Sequence, residues 1–172
     1  MIERIKALWQ KHREVLMYLI FGVLTTFVGW GVYYVVLLGG RGIFEIPAGE
    51  TASARYFALY TAAQIIQWVC AVLFAFFTNR AWVFTDADKS ASLWKQLLPF
   101  AGGRVITLGL DYVITLGLTL GLGLLFPAWT STALLGKTVN LCELASKVVA
   151  AVVVIVCNYV ISKIFVFKNK TE

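Results

Sequence analysis

Four long apolar stretches constrain this chain more than any other feature of its sequence. They cover about 15–38, 56–78, 100–126 and 141–161, and each is close to the ~20 residues that an α-helix needs to cross a bilayer. The first two contain no charged residue. With 60% hydrophobic and 14% charged residues and a mean hydropathy of +0.81, the chain is too apolar for a soluble domain of 172 residues. The sequence therefore predicts an all-α membrane protein with four transmembrane helices.

A short aromatic and basic tail follows both the second and the fourth stretch. The tails Asn79–Phe84 and Ser162–Phe167 lie 83 positions apart, and Trp30 in the first stretch matches Tyr112 in the third, 82 positions on. This periodicity predicts one membrane domain built as a tandem, parallel repeat of a two-helix unit. We expect the single domain to cover 1–172, with repeat one at about 15–84 and repeat two at about 97–168.

Lysine and arginine are concentrated on one side of the predicted helices. That side holds 11 of them: Arg4, Lys6, Lys11, Arg13, Arg80, Lys89, Lys95, Arg104, Lys163, Lys168 and Lys170. The two opposite loops hold only Arg41, Arg55 and Lys137. By the positive-inside rule both termini are expected in the cytoplasm of a bacterial cell. The net charge of +6 is then an orientation signal and an attraction to anionic lipid, with no nucleic-acid partner.

Two segments outside the apolar stretches carry a local prediction. Ile2–Glu14 alternates apolar and basic positions, which predicts a short amphipathic helix on the inner membrane surface. The glycine-rich segment from Gly39 to Arg55 is expected to be a loop linking the first two spans.

Residues able to carry out chemistry are scarce. His12 is the single histidine, and the three cysteines lie in the spans or at a span edge without paired spacing, so we expect them to be packing residues. No nucleophile lies beside a base, and no Asp-rich metal motif is present. The sequence therefore predicts no catalytic residue, metal or cofactor, and a protein that is not an enzyme.

The second half of the chain carries polar side chains inside its spans. Arg104 and Asp111 are seven residues apart, so they share a helix face, and the same holds for Lys147 and Asn158, which are eleven apart. Glu143 precedes Lys147 by one turn. A charge near the bilayer centre costs at least ~2.5–3.5 kcal/mol, so each must face a partner, a cavity or a ligand.

The first half has neutral or small residues at the matching positions. Gln64 corresponds to Lys147, Ala75 to Asn158 and Gly22 to Arg104. A symmetric packing role does not explain this asymmetry, which indicates that the second half is specialised.

Two interpretations of the charged cluster remain open. In the first, Asp111 pairs with Arg104 or Lys147, and Glu143 pairs with Lys147, as ion pairs that fix helix packing. In the second, Arg104, Lys147 and Asn158 line a cavity that binds an anion, because arginine offers a planar fork of donors and lysine a movable point charge. Lys147 lies roughly 16 Å further out in the membrane than Asn158, on the same face of the fourth span.

From about Val15 to Lys168 the chain resembles the GtrA-like family. The resemblance is carried by the four spans, the Asn79–Phe84 tail, Arg104 at the start of the third span, and the second tail ending in Phe165–Lys168. It implies a membrane protein that flips a polyprenyl-phosphate-linked monosaccharide, such as an undecaprenyl-phosphate sugar, across the cytoplasmic membrane for glycosylation of a cell-surface polysaccharide. The implied partners are that lipid-linked sugar, membrane lipid, and glycosyltransferases of the same pathway.

The family pattern singles out eight residues: Ala75, Asn79, Val83, Phe84, Phe100, Arg104, Lys147 and Asn158. Their roles, and those of three further residues, are expected from the chemistry of the side chains. Arg104 is expected to capture the phosphate, Lys147 to receive it deeper in the membrane, and Asn79 and Asn158 to hydrogen-bond the phosphate or the sugar. Five further residues are expected to contact the prenyl chain or sugar in a groove: Ala75, Trp82, Val83, Phe84 and Phe100. Asp111 and Glu143 are expected to form ion pairs or to couple transport to protons. The second tail departs from the pattern, since Ser162 and Lys163 replace the Asn-Arg of the first.

Two alternative functions are compatible with the sequence. The chain could be a non-transporting scaffold for a polyprenyl glycosyltransferase, in which case Arg104 and Lys147 would tolerate substitution. It could also be a small multidrug or proton exchanger, although such proteins need a membrane carboxylate and the first span has none. A homo-oligomer is compatible with either, because four helices enclose little space.

Overall fold

Four long α-helices account for most of the protein in the computed structural model. The structure describes residues 2–47, 50, 52–134 and 137–167, with side chains outside 2–11 and 131–139. The helices are α1 (Ile2–Ile43), α2 (Ala54–Thr78), α3 (Leu93–Leu125) and α4 (Leu141–Ile161). Each is long and apolar enough to cross a membrane. This confirms the four predicted spans, and the chain is a multi-pass membrane protein.

The contacts divide the chain into two compact units. Unit 1 comprises Met1–Lys89 together with Lys170–Glu172, and unit 2 comprises Ser90–Asn169. Each unit contains a pair of packed helices, α1 with α2 and α3 with α4.

In unit 1 a small apolar core packs the end of α1 against the start of α2. Ile46, Leu59 and Ala63 are buried there with Leu37, and Gly40 lies so close to Leu59 that a Cβ would collide with it. The amide of Ile46 bonds to the carbonyl of Arg41, five residues back, which terminates α1. The connection to α2 is therefore tied to the helix ends.

The N-terminal segment is not a separate helix, contrary to the sequence-based expectation. α1 runs without a break from Ile2 to Ile43, because no proline or glycine interrupts the backbone hydrogen bonds before Gly22. The side chains of the predicted amphipathic face, up to Lys11, lie outside the described residues. The predicted glycine-rich loop is also shorter than expected, since Gly39 and Gly40 are still helical.

In unit 2 a small antiparallel hairpin precedes α4, which the all-α prediction did not include. After α3 come a short 3-10 helix (Pro127–Ser131) and the strands β1 (Thr132–Leu134) and β2 (Lys137–Val139). α4 then begins at a capped end, where Asn140 Oδ1 accepts a hydrogen bond from the amide of Glu143 at 3.1 Å.

In both units the second helix continues into one turn of π-helix. π1 (Asn79–Val83) follows α2 directly, and π2 (Ser162–Val166) follows α4 directly. The amide of Phe84 bonds to the carbonyl of Asn79, and that of Phe167 to Ser162, each at 2.8 Å. The two tails singled out in the sequence therefore form the same local structure. Lys168 and Lys170, two of the eleven basic residues on the predicted cytoplasmic side, lie outside the described residues.

Candidate functional site

The predicted residues of the first tail are buried together where α2 passes into π1. Ala75, Asn79, Val83 and Phe84 expose 5%, 2%, 1% and 4% of their surfaces. Asn79 is the C-cap of α2, and its backbone N–H donates to the carbonyls of Ala75 and Phe76. The Phe84 ring lies 6.5 Å from the ring of Tyr18 on α1. These side chains thus expose little surface in this structure, and their predicted contacts with a ligand stay a prediction.

Trp82 is the exposed member of the same tail. Its indole stacks on the ring of Phe21 with a centroid distance of 5.3 Å and an interplanar angle of 12°, and about half of its surface is exposed. Its carbonyl accepts a hydrogen bond from Arg13 at 3.3 Å. Trp82 is therefore positioned by α1, with one ring face available to a sugar or a prenyl chain.

In unit 2 the residues near π2 form a compact group. Phe100 is buried, and its ring lies 6.0 Å from that of Phe167. The Arg104 guanidinium carbon lies 4.9 Å from the centre of the Phe100 ring, a cation–π contact. Arg104 is partly buried, and within the described ranges no hydrogen bond or ion pair to its guanidinium is formed. Its planar set of donors is thus positioned and still available for an anion.

Asn158 is bonded across the helix pair to Thr107, which the sequence interpretation did not select. The hydroxyl of Thr107 lies 2.9 Å from Asn158 Oδ1 and also contacts the carbonyls of Gly103 and Arg104. Gly103 allows α4 to approach closely, since a Cβ there would lie 2.8 Å from Cγ2 of Ile161. Threonine is common in transmembrane helices, so sequence offered no signal beyond its position one turn after Arg104.

Asp111 and Lys147 form an ion pair within unit 2. Lys147 Nζ lies 3.2 Å from Asp111 Oδ2, with 54% of the lysine side chain and 30% of the aspartate side chain exposed. Of the pairings that the sequence left open for these two residues, the structure forms this one. Because Asp111 follows Thr107 by four residues, the pair lies only about 6 Å of helix rise from the Thr107–Asn158 bond. The Lys147 ammonium therefore lies closer to the Thr107–Asn158 bond than the ~16 Å that separates Lys147 from Asn158 along α4.

Glu143 lies apart from this pair in the first turn of α4. It is exposed, and among the described side chains it forms no ion pair with Lys147. A carboxylate in this position interacts favourably with the helix dipole.

Two further threonines of α3 extend the polar face beyond Asp111. The hydroxyl oxygens of Thr115 and Thr119 are buried and have no hydrogen-bond partner in the described part of the chain. They follow Asp111 at intervals of four residues, so they lie on the same face of α3. Sequence alone could not separate them from the other threonines of the spans.

Taken together, the fold and this polar face define a multi-pass protein with cationic and hydrogen-bonding groups inside a membrane helix pair. The family model described as "GtrA/DPMS, transmembrane domain" matches residues 17–167. The chain belongs to this family.

Similar proteins come from two bacterial genera. The chain is 32% identical to the uncharacterized membrane protein YwcD of Bacillus subtilis, over 91% of this chain and 98% of the relative. It is 33% identical to the cell wall teichoic acid glycosylation protein GtcA of Listeria innocua, over 63% of this chain and 64% of the relative. GtcA of Listeria monocytogenes is 31% identical over a similar share, 64% and 66%. No solved structure matches the chain.

Proposed function

We propose that this protein flips a polyprenyl-phosphate-linked monosaccharide across the bacterial cytoplasmic membrane, for glycosylation of a cell-wall polymer. The family membership and the names of the GtcA relatives support the role in cell-wall glycosylation. The substrate has a single negative charge, several hydroxyl groups and a chain that remains in lipid, so the protein needs a polar surface inside the membrane. No step of this function makes or breaks a covalent bond.

One observation carries the proposal: Arg104 is a positioned guanidinium inside a membrane helix, and its expected acidic partner is occupied. Asp111 is paired with Lys147, and among the described residues nothing pairs with Arg104. A charge in this environment is expensive without a counter-ion. A phosphodiester supplies one, and its oxygens match the fork of arginine donors.

Lys147 and Asn158 extend this phosphate site within unit 2. More than half of the Lys147 side chain is exposed, so its ammonium can exchange Asp111 for a phosphate oxygen. Asn158 is buried, with 6% of its surface exposed, and its Oδ1 accepts a hydrogen bond from Thr107. Its contact with the phosphate is therefore proposed through the amide nitrogen. Trp82 contacts the prenyl chain or the sugar through its exposed face. The other predicted contacts are buried in this structure, and their contacts with the substrate stay a prediction: Ala75, Asn79, Val83, Phe84 and Phe100.

The arrangement of the units supports an internal duplication and a common orientation. Each unit has an aromatic contact between its first helix and its tail, Tyr18 with Phe84 and Phe100 with Phe167. These residues match at offsets of 82 and 83 positions. Two helices per unit return the chain to its starting side, so both termini and the middle connection are proposed to be cytoplasmic.

The proposed function is tested by reconstitution in vesicles that contain a polyprenyl-phosphate hexose. The measurement is the rate at which the inner-leaflet sugar becomes accessible to a membrane-impermeant glycosidase, for the wild type, Arg104→Ala and Lys147→Ala. The wild type is expected to accelerate exposure, and both variants to lose most of that acceleration while inserting normally. Equal rates in all three proteins, or no acceleration over protein-free vesicles, would rule the proposal out.

A second function, a membrane scaffold for a polyprenyl glycosyltransferase, is favoured by the Asp111–Lys147 ion pair. That pair satisfies both charges within unit 2 without a ligand. The scaffold predicts stable co-purification with the enzyme and normal glycosylation by the Arg104→Ala variant. Proton coupling through Asp111 or Glu143 stays a prediction under either function.

A further inference from the structure

A cavity of about 430 Å³ lies in unit 1. It is lined by Trp30, Tyr33 and Tyr34 of α1 and by Gln64 and Gln67 of α2. Its volume falls within the range of small-molecule sites, roughly 300–1,000 Å³. We refer to it as the aromatic–amide cavity.

The amides of this cavity are ordered by their own helix. Gln67 Nε2 donates to Gln64 Oε1 at 2.6 Å, and Gln64 Nε2 donates to the hydroxyl of Tyr60 at 2.9 Å. Gly29 on α1 makes room for this arrangement, because a Cβ there would lie 3.5 Å from Gln67 Oε1. The two amides are therefore held in one direction, with Gln67 Oε1 beside α1.

Several polar groups around the cavity are left without a hydrogen bond. In the described part of the chain, neither the Trp30 indole N–H nor the hydroxyls of Tyr33 and Tyr34 have a hydrogen-bond partner, and Gln67 Oε1 accepts none. Polar groups at membrane depth are costly unless water or a ligand pairs with them. A hydrocarbon chain in the cavity would leave all of them unsatisfied.

The lining also limits the charge of the ligand. No lysine, arginine, aspartate or glutamate is among the five lining residues, so the cavity favours a neutral group. Trp30 and Tyr34 each expose 57% of their surface, which gives flat apolar faces beside the amide donors and acceptors. A pyranose ring matches both features, with C–H bonds on its faces and hydroxyl groups at its edge.

We propose that the aromatic–amide cavity binds a neutral hexopyranose. Its amides and hydroxyls bond to the sugar hydroxyls, and its tryptophan and tyrosine rings cover a face of the ring. The source of the sugar, the headgroup of a lipid-linked monosaccharide, rests on the proposed function. The recognition itself rests on the cavity alone.

The test uses the full chain in nanodiscs free of glycolipid and of sugar-based detergent. Three probes are compared: a short-chain polyprenyl hexosyl phosphodiester, the methyl phosphodiester of the same prenol, and a free methyl hexopyranoside. The two probes that contain a sugar are prepared with each of the common hexoses. The two phosphodiesters have the same charge and chain, so the ratio of their affinities measures the sugar contribution. The variants are Gln67→Leu and Tyr34→Phe, with Thr61→Val as the control, since Thr61 is an exposed polar residue of α2 outside the lining.

We expect the wild type to bind one hexosyl phosphodiester about tenfold more tightly than the methyl phosphodiester, from a few added hydrogen bonds. In Gln67→Leu the two phosphodiesters should bind equally tightly. In Tyr34→Phe the preference for the hexosyl phosphodiester should be smaller than in the wild type, and in Thr61→Val it should be unchanged. Binding of the methyl phosphodiester should be unchanged in all three variants.

The outcomes separate this inference from the proposed function. If both phosphodiesters bind through Arg104 and the sugar adds nothing, or its contribution survives Gln67→Leu, the inference is wrong and the proposed function stands. If neither phosphodiester binds but a methyl hexopyranoside binds and is lost in Gln67→Leu, the sugar site stands and the proposed function does not. If no sugar probe binds, the cavity is not a sugar site.

Discussion

The tail of unit 1 closes as a turn between Asn79 and Phe84, and the tail of unit 2 between Ser162 and Phe167, each with a backbone hydrogen bond of 2.8 Å. The middles of the two helix pairs differ. Gly29 and Gln64 in unit 1 match Asp111 and Lys147 in unit 2, at offsets of 82 and 83. Unit 2 forms an ion pair where unit 1 has an open neutral cavity.

The features that the two units share fold each helix pair, and the residues in which they differ determine what each unit can bind. The shared features, buried aromatic residues and a π-turn, satisfy packing and backbone hydrogen bonds in both units. The residues that differ lie at the depth where a charge or an amide is expensive. A substitution in the shared part should therefore affect stability in either unit, whereas one in the middle should affect binding in only one.

The largest expected effect comes from Arg104→Ala. Loss of a charge-assisted hydrogen bond costs about 1.5–3 kcal/mol, so flipping in vesicles should fall by about tenfold to a hundredfold. The matched control is Gly22→Ala at the corresponding position of unit 1, where an added Cβ meets nothing within 4 Å. Gly22→Ala should transport at the wild-type rate. Equal activity of the two variants would remove the functional difference between the units.

Gly103→Ala should be the most destabilising of three glycine substitutions. The added methyl group would lie 2.8 Å from Cγ2 of Ile161, a branched atom that cannot swing away, and such overpacking costs about 1–3 kcal/mol. Gly40→Ala in unit 1 should cost less, because its neighbour is the flexible end of Leu59. Gly31→Ala, with open space around it, is the control. Thermal unfolding in detergent measures the order, and a Gly103→Ala protein as stable as Gly31→Ala would contradict it.

Thr107→Val should weaken unit 2 by about 0.6 kcal/mol, and by at most about 1.7 kcal/mol, the range for interhelical hydrogen bonds in membranes. The hydroxyl that contacts Asn158 is lost and the shape is kept. Thr25→Val is the control, since the Thr25 hydroxyl bonds only within its own helix, to the carbonyl of Phe21 at 2.7 Å. Equal unfolding midpoints for the two variants would show that the Asn158 contact adds no stability.

The smallest effect concerns the ion pair. Asp111→Asn should release the Lys147 ammonium and raise the affinity for a polyprenyl methyl phosphodiester by a factor of about two to five, as expected for a partly exposed pair. Lys147→Ala should lower that affinity. Gln64→Leu, at the matching position of unit 1, should leave it unchanged. A drop in affinity for Asp111→Asn would mean that the pair is needed intact.

The spans were predictable from hydropathy because a bilayer requires about twenty apolar residues. The predicted 141–161 coincides with α4, whereas α3 begins at Leu93 instead of near position 100. Its first turns carry Trp94, Lys95 and Gln96, which are polar or interfacial yet helical, and hydropathy marks only the apolar part of a helix. The hairpin before α4 and the π-turns depend on local backbone hydrogen bonds that composition does not encode.

For the candidate site, sequence located the polar residues but not their partners. Helical spacing placed Arg104 and Asp111 on one face, and both could have paired with each other. Only side-chain positions show Asp111 paired with Lys147 across the helix pair. The aromatic–amide cavity cannot be predicted from the sequence, because Gln64 stands out there only as the neutral counterpart of Lys147, and tyrosines are ordinary residues of a membrane helix.

The π-turns make the chain sensitive to its length at two places. Removing one residue between Asn79 and Phe84 would leave an ordinary α-turn, so the backbone hydrogen bonds would survive the loss. Phe84 would nevertheless be rotated by about 100° around the helix axis and would leave the position in which it is now buried. Single-residue deletions should therefore be tolerated at the exposed residues Thr85 and Asp86, which follow the first tail, and rejected in the tails. In these tails the number of residues is constrained as strictly as their identity.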